Sequence, residues 1–149
     1  MSGRESGSSS IPEELQEVVE RLKRVLRVRA VILFGSRARG DWGPWSDYDL
    51  LIVADFDEPY LERIKRVLDI LADVRLPIEP HPYTLEEAMN MLQRGNPLIV
   101  DALEEGIVLY RGPEFEKIER LYHELKRRGL RRTRTSVVIP DNVQRCDAS

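Results

Sequence analysis

The chain has 149 residues, 42% of them hydrophobic, the size of one ordinary domain with one core. Its formal charge is −3 and no apolar run approaches the length of a membrane-spanning helix, so a membrane protein is not expected. Charged residues make up 33% of the chain against three Asn and three Gln, a composition that leans towards a thermophile.

Residues 1–10, Gly/Ser-rich and followed by a charged amphipathic stretch, read as a disordered segment and not as a signal peptide. Pro12 with Glu13 and Glu14 opens a helix. Leu15, Val18, Val19, Leu22, Val25 and Leu26 recur at three- and four-residue spacing, which predicts one buried face. A strand is expected over 29–34, a loop over 37–46 and a second strand over 48–53. Pro59 starts another helix, whose buried face is predicted to be Leu61, Ile64, Val67, Leu68 and Leu71.

Residues 77–83 read as a third strand. Pro80 and Pro82 both lack an N–H on the same side, which predicts an edge strand paired only through the other. Thr84 is the expected N-cap of the next helix, with Glu87 three residues on. Gly95-Asn96-Pro97 breaks that helix. A short helix follows from Pro97, then a strand over 106–111 and an amphipathic helix over 114–128 closed by Gly129. Its buried side is predicted to be Phe115, Ile118, Leu121, Tyr122 and Leu125. Residues 136–139 form a possible short strand. The resulting division is a folded domain over 11–129 and a basic tail over 130–149, where few core-forming residues lie. The single Cys146 falls in that tail, cannot form an internal disulfide and fits a cytoplasmic protein.

The most informative stretch runs from Leu33 to Val53. A hydrophobic run ending at Phe34 is followed by Gly35-Ser36, then ten residues, then Asp47 and Asp49 leading into Leu50-Leu51-Ile52-Val53. On a strand the two carboxylates share a face and repel each other unless a cation lies between them. Hard oxygen donors of this kind suit Mg²⁺ together with substrate phosphates. Gly35 permits a sharp turn and close approach of a ligand. Ser36 can cap the following turn, whose free N–H groups favour phosphate. Arg37 and Arg39 add fixed positive charge with forked donors.

This pattern resembles the DNA polymerase β-type nucleotidyltransferases, and GSRARG followed by SDYDLLIV is most similar to their minimal members. The resemblance implies an α+β (two-layer α/β) fold with a small mixed β-sheet packed on helices. It implies that Gly35, Ser36, Arg37 and Arg39 bind a nucleoside triphosphate, and that Asp47 and Asp49 hold Mg²⁺. It also implies a third acid on a neighbouring strand, acting as base or as ligand of a second metal. Glu79, between Ile78 and Pro80, is the best match; Asp73, at a helix end, and Asp101, in an expected helix, are rivals. The family more often carries Asp at that position. Along the strand Glu79, His81 and Tyr83 share one face. His81 is read as a packing or substrate-contacting residue. Trp42 and Trp45 either stack on a base or close the loop over the core.

The expected reaction is Mg²⁺-dependent transfer of a nucleoside monophosphate, AMP from ATP, to a hydroxyl, with catalytic residues Asp47, Asp49 and Glu79. The resemblance implies a partner as well: a helical HEPN-type toxin, adenylylated on Tyr by the minimal nucleotidyltransferase as its antitoxin. Two alternatives remain open, an inactive nucleotide-binding or partner-neutralising module and an RNA- or DNA-binding protein. The last draws on residues 117–134, where eight Lys/Arg face Glu119 and Glu124 for a local +6. RNA contact would run through Lys126–Arg134. A solvated helix face is the plain alternative, and a homodimer is also open.

Overall fold

Val31–Phe34 and Leu50–Val53 are uninterrupted apolar runs, the pattern of strands buried on both faces. They form the centre of a four-stranded sheet. In a computed structural model, which describes residues 11–133 and 135–140, β1 is Val28–Phe34, β2 is Tyr48–Ala54, β3 is Ile78–Tyr83 and β4 is Ile107–Arg111. The order is β3-β2-β1-β4. β1 pairs antiparallel with β2 and β4, and β2 pairs parallel with β3, so the sheet is mixed. β3 is an edge strand, where its two prolines place it. The expectations about residues 1–10, Arg134 and Cys146 lie outside the described residues.

The helices are α1 (Glu14–Val25), the single turn α2 (Ser36–Arg39), α3 (Tyr60–Ile70), α4 (Leu85–Gln93), α5 (Pro97–Glu105) and α6 (Phe115–Arg127). A parallel pair needs a crossover, and α3 supplies it between β2 and β3. The fold is α+β with helices over both faces of the sheet. Val31, Leu33, Leu50 and Ile52 face α1 and Val67 of α3. Ala30, Ile32, Phe34, Leu51 and Val53 face α4, α5 and α6. Thr84 caps α4 through a reciprocal capping box with Glu87, and Asn96 caps α5 ahead of Pro97.

The buried face of α3 differs from its apolar periodicity. Leu61 is 74% exposed and Leu68 45%, whereas Arg63 is 8% exposed beside Val67. The Arg63 fork accounts for this. Its Nη atoms donate to both Glu87 carboxylate oxygens at 2.7 and 3.0 Å, and Nε donates to the Glu58 carbonyl at 2.8 Å. A guanidinium so satisfied can be buried where an unpartnered one could not. Val25, at the last turn of α1, is also exposed.

The chain after α6 joins the second core. Leu130 is buried, and Arg131–Arg132 (β5) pairs with Val137–Val138 (β6). Val137 and Ile139 pack against the cluster of α4–α6. They also press on Gly95, where a Cβ would come 2.8 Å from Ile139 Cγ1 and where φ is +70°. Few apolar residues lie in this segment, but those present are used. Truncation after Leu130 is therefore expected to cost about 2 kcal/mol through the lost burial and to lower the melting temperature by about 4–8 °C, with helix content retained. An unchanged melting temperature would show that the hairpin adds nothing to the core.

Candidate active site

β1 ends where the chain must turn sharply. Gly35 caps α2 with φ +79°, and a Cβ there would sit 2.6 Å from Asp49 Oδ2. Glycine is needed both for the backbone angle and for the space. The turn and Asp49 are consequently in direct contact. Gly35→Ala is expected to cost about 1–3 kcal/mol in backbone strain alone. Thermal melting checks it, and a variant as stable as the parent would contradict the strain argument.

The first N–H groups of α2, at Ser36 and Arg37, have no carbonyl within the turn to receive them. Both Ala38 N and Arg39 N donate instead to the Gly35 carbonyl at 3.0 Å. The loop behind α2 is braced. Arg37 Nε and Nη2 donate to the Ser46 carbonyl at 3.1 and 2.9 Å. Its guanidinium lies 4.3 Å from the Trp42 ring centre and 4.2 Å from that of Tyr48. Gly43 N donates to Ser46 Oγ at 3.0 Å and Ser46 N to the Gly43 carbonyl at 3.0 Å. Arg37, expected to meet nucleotide, thus already holds the loop. Trp42 stacks on it, and Trp45 remains 83% exposed. Arg39 is exposed and pairs with Asp41 and Glu105.

The strand register assembles the acids. Asp49 is opposite Phe34 on β1 and opposite Glu79 on β3. One ligand atom from each of Asp49, Glu79 and His81 lies within 4.8 Å of the other two. His81 Nε2 is 3.2 Å from Asp49 Oδ1, and the Phe34 ring is 5.1 Å from the imidazole. Asp47 is exposed, outside this closest group, and its charge still acts on Glu79. Partial loss of hydration holds the Glu79 carboxyl, exposed though the residue is, above its ordinary value; Asp49 and Asp47 push it the same way, with His81 opposing. Two carboxylates and an imidazole converging from adjacent strands are a donor set that fits a divalent cation. The rival third acids are engaged elsewhere: Asp73 is ion-paired with Arg21, and Asp101 with Arg132 at 2.7 Å.

Several cations of the basic C-terminal segment are ion-paired. Lys126 pairs with Glu104, Arg127 and Arg128 with Glu124, and Arg132 with Asp101.

A mixed sheet carrying a Gly-Ser turn and facing carboxylates on its strands defines a nucleotidyl-transfer architecture. The sequence pattern of the family described as "Nucleotidyltransferase domain" matches residues 14–134, and the chain belongs to that family. A Methanocaldococcus jannaschii protein carrying the provisional name of protein adenylyltransferase is 47% identical over 49 residues. That match covers 32% of this chain and 49% of the relative, so the chain spans about half the length of the curated protein it matches. Among solved structures, a chain of a mutant toxin–antitoxin complex, MntA–HpeT, is similar in fold with a TM-score of 0.50 at 15% identity. The match covers 74% of this chain and 80% of that one. A Sulfolobus solfataricus protein provisionally named a nucleotidyltransferase gives a TM-score of 0.49 at 22% identity, over 74% of this chain and 88% of its own.

Proposed function

We propose that this chain transfers AMP from ATP to a hydroxyl on a protein acceptor, a tyrosine of a HEPN-type partner, and that Asp47, Asp49 and Glu79 carry the reaction. The observation that carries it is the placement of Asp49: in contact with the Gly35 turn on one side and paired in register with Glu79 on the other. Triphosphate and acceptor hydroxyl would meet at that one carboxylate. The curated adenylyltransferase relative and the toxin–antitoxin fold neighbour support the choice of nucleotide and partner.

Gly35 and Ser36 would receive the β- and γ-phosphates on backbone N–H groups, with Arg39 offsetting charge. Asp47 and Asp49 would fix a Mg²⁺ ion that neutralises the phosphates and lowers the pKa of the attacking hydroxyl. Glu79 would accept the acceptor's proton or hold the second cation. The acceptor oxygen then bonds to the α-phosphorus, the bond to the bridging oxygen breaks, and pyrophosphate leaves in line.

The test is incubation with ATP labelled at the α-phosphate, Mg²⁺ and a HEPN-type protein, followed by detection of labelled protein and released pyrophosphate. Label on a partner tyrosine is the expected result. Nucleotide binding without pyrophosphate release would leave a binding module, and absence of both would reject the proposal.

A further inference from the structure

We infer that His81 is a metal ligand, and that Asp49, Glu79 and His81 form a site that takes a first-row transition cation such as Mn²⁺ in preference to Mg²⁺. The inference concerns the same site as the proposed transfer and rests on that reading only for the cation's role in the reaction.

Asp49 stands opposite Glu79, and His81 is two residues further along the same face of β3. The three donors therefore converge without any loop having to supply one, and their atoms lie within 4.8 Å of one another. Two ligands about 2.1 Å from one ion at a right angle are about 3.0 Å apart, and His81 Nε2 is 3.2 Å from Asp49 Oδ1. The imidazole is held: its side chain is only 16% exposed and it rests against Phe34 at 5.1 Å between ring centres. The nitrogen nearest the carboxylates is thus fixed in place.

The donor set then decides the ion. Mg²⁺ favours oxygen ligands and retains waters, whereas first-row transition ions accept an imidazole nitrogen more readily, Mn²⁺ the least of them and the later ions more. Asp47, exposed and outside this cluster, is left to serve a Mg²⁺ ion arriving with the triphosphate. The competing account is that His81 merely hydrogen-bonds Asp49 and orients it.

Metal-free protein titrated with Mn²⁺ and with Mg²⁺ separates the two accounts. Wild type is expected to bind Mn²⁺ at least about tenfold more tightly than Mg²⁺. His81→Gln keeps a hydrogen-bond donor for Asp49 and loses the imidazole; it should weaken Mn²⁺ binding about tenfold or more and change Mg²⁺ binding little. Equal affinities in wild type, or Mn²⁺ binding untouched by His81→Gln, overturn the inference. Pulsed electron paramagnetic resonance of Mn²⁺ bound to wild type gives a measure independent of any variant: an imidazole ¹⁴N coupling is expected, and its absence overturns the inference. Nitrogen-coupled Mn²⁺ in a protein that transfers no nucleotide would reject the proposed function alone. Nucleotide transfer without that coupling would reject this inference alone.

Discussion

Replacing both Asp47 and Asp49 by Asn is expected to abolish Mg²⁺-dependent nucleotide binding and to lower transfer by about 10³-fold or more, the scale of several kcal/mol of lost charge stabilisation. The size follows from position. Asp49 touches the Gly35 turn and faces Glu79, so no neighbouring carboxylate can substitute for it. The same variant removes two like charges beside Glu79, whose carboxyl is held up by lost hydration first and then by them. The metal-free double variant should therefore melt no lower than wild type, and higher if repulsion dominates. Transfer assays paired with thermal melting read both effects. A double variant that transfers nucleotide at the wild-type rate would remove these residues from the mechanism.

Glu79→Gln is the second large effect. It preserves shape and removes the charge, so nucleotide affinity should fall only modestly while single-turnover transfer falls about 10²-fold or more. Asp73→Asn should change neither, because Asp73 is exposed and occupied by Arg21. Lost chemistry in Asp73→Asn with retained chemistry in Glu79→Gln would reverse the assignment. A stability signature accompanies the kinetics. Lost hydration, Asp49 and Asp47 raise the folded-state value of Glu79 above its unfolded one, so its ionisation opposes folding. The stability advantage of Glu79→Gln over wild type should be small at pH values below the unfolded carboxyl value. It should grow as the pH rises through the folded one. A difference that is flat or shrinks with pH would contradict the electrostatic description of this site.

Much of this arrangement was legible in the residues themselves. The Gly-Ser turn, the two acids one residue apart and the doubled proline of β3 are local signals, and each corresponds to a local geometric need. The capping box of Thr84 and Glu87 is of the same kind. What stayed hidden depended on partners distant in sequence. Counting apolar residues on α3 selects Leu61 and Leu68, because nothing near Arg63 announces that Glu87 will receive its fork. Arg37 reads as an anion ligand, and its bracing of the Ser46 carbonyl nine residues on is not announced by any local pattern. His81 shares a face with Glu79 by simple alternation, yet its approach to Asp49 depends on the parallel register of β2 and β3, which no local pattern states. The packing of Val137 and Ile139 was masked by the charged residues around them.

The outer rim of β3 bears on how copies of this protein meet in a crowded cell. An unpaired rim of a sheet invites another chain to bond along it, the first step of fibril growth. Pro80 and Pro82 are buried but carry no N–H, so that rim offers no hydrogen at either position, and an incoming chain cannot complete its ladder there. The opposite rim, β4, has no proline between Ile107 and Arg111 and shows Val108 at 40% exposure. Among the described residues, β4 is therefore the rim at which an incoming chain meets no proline. Solubility engineering belongs on β4, where a lysine at Val108 would close it without approaching the carboxylates.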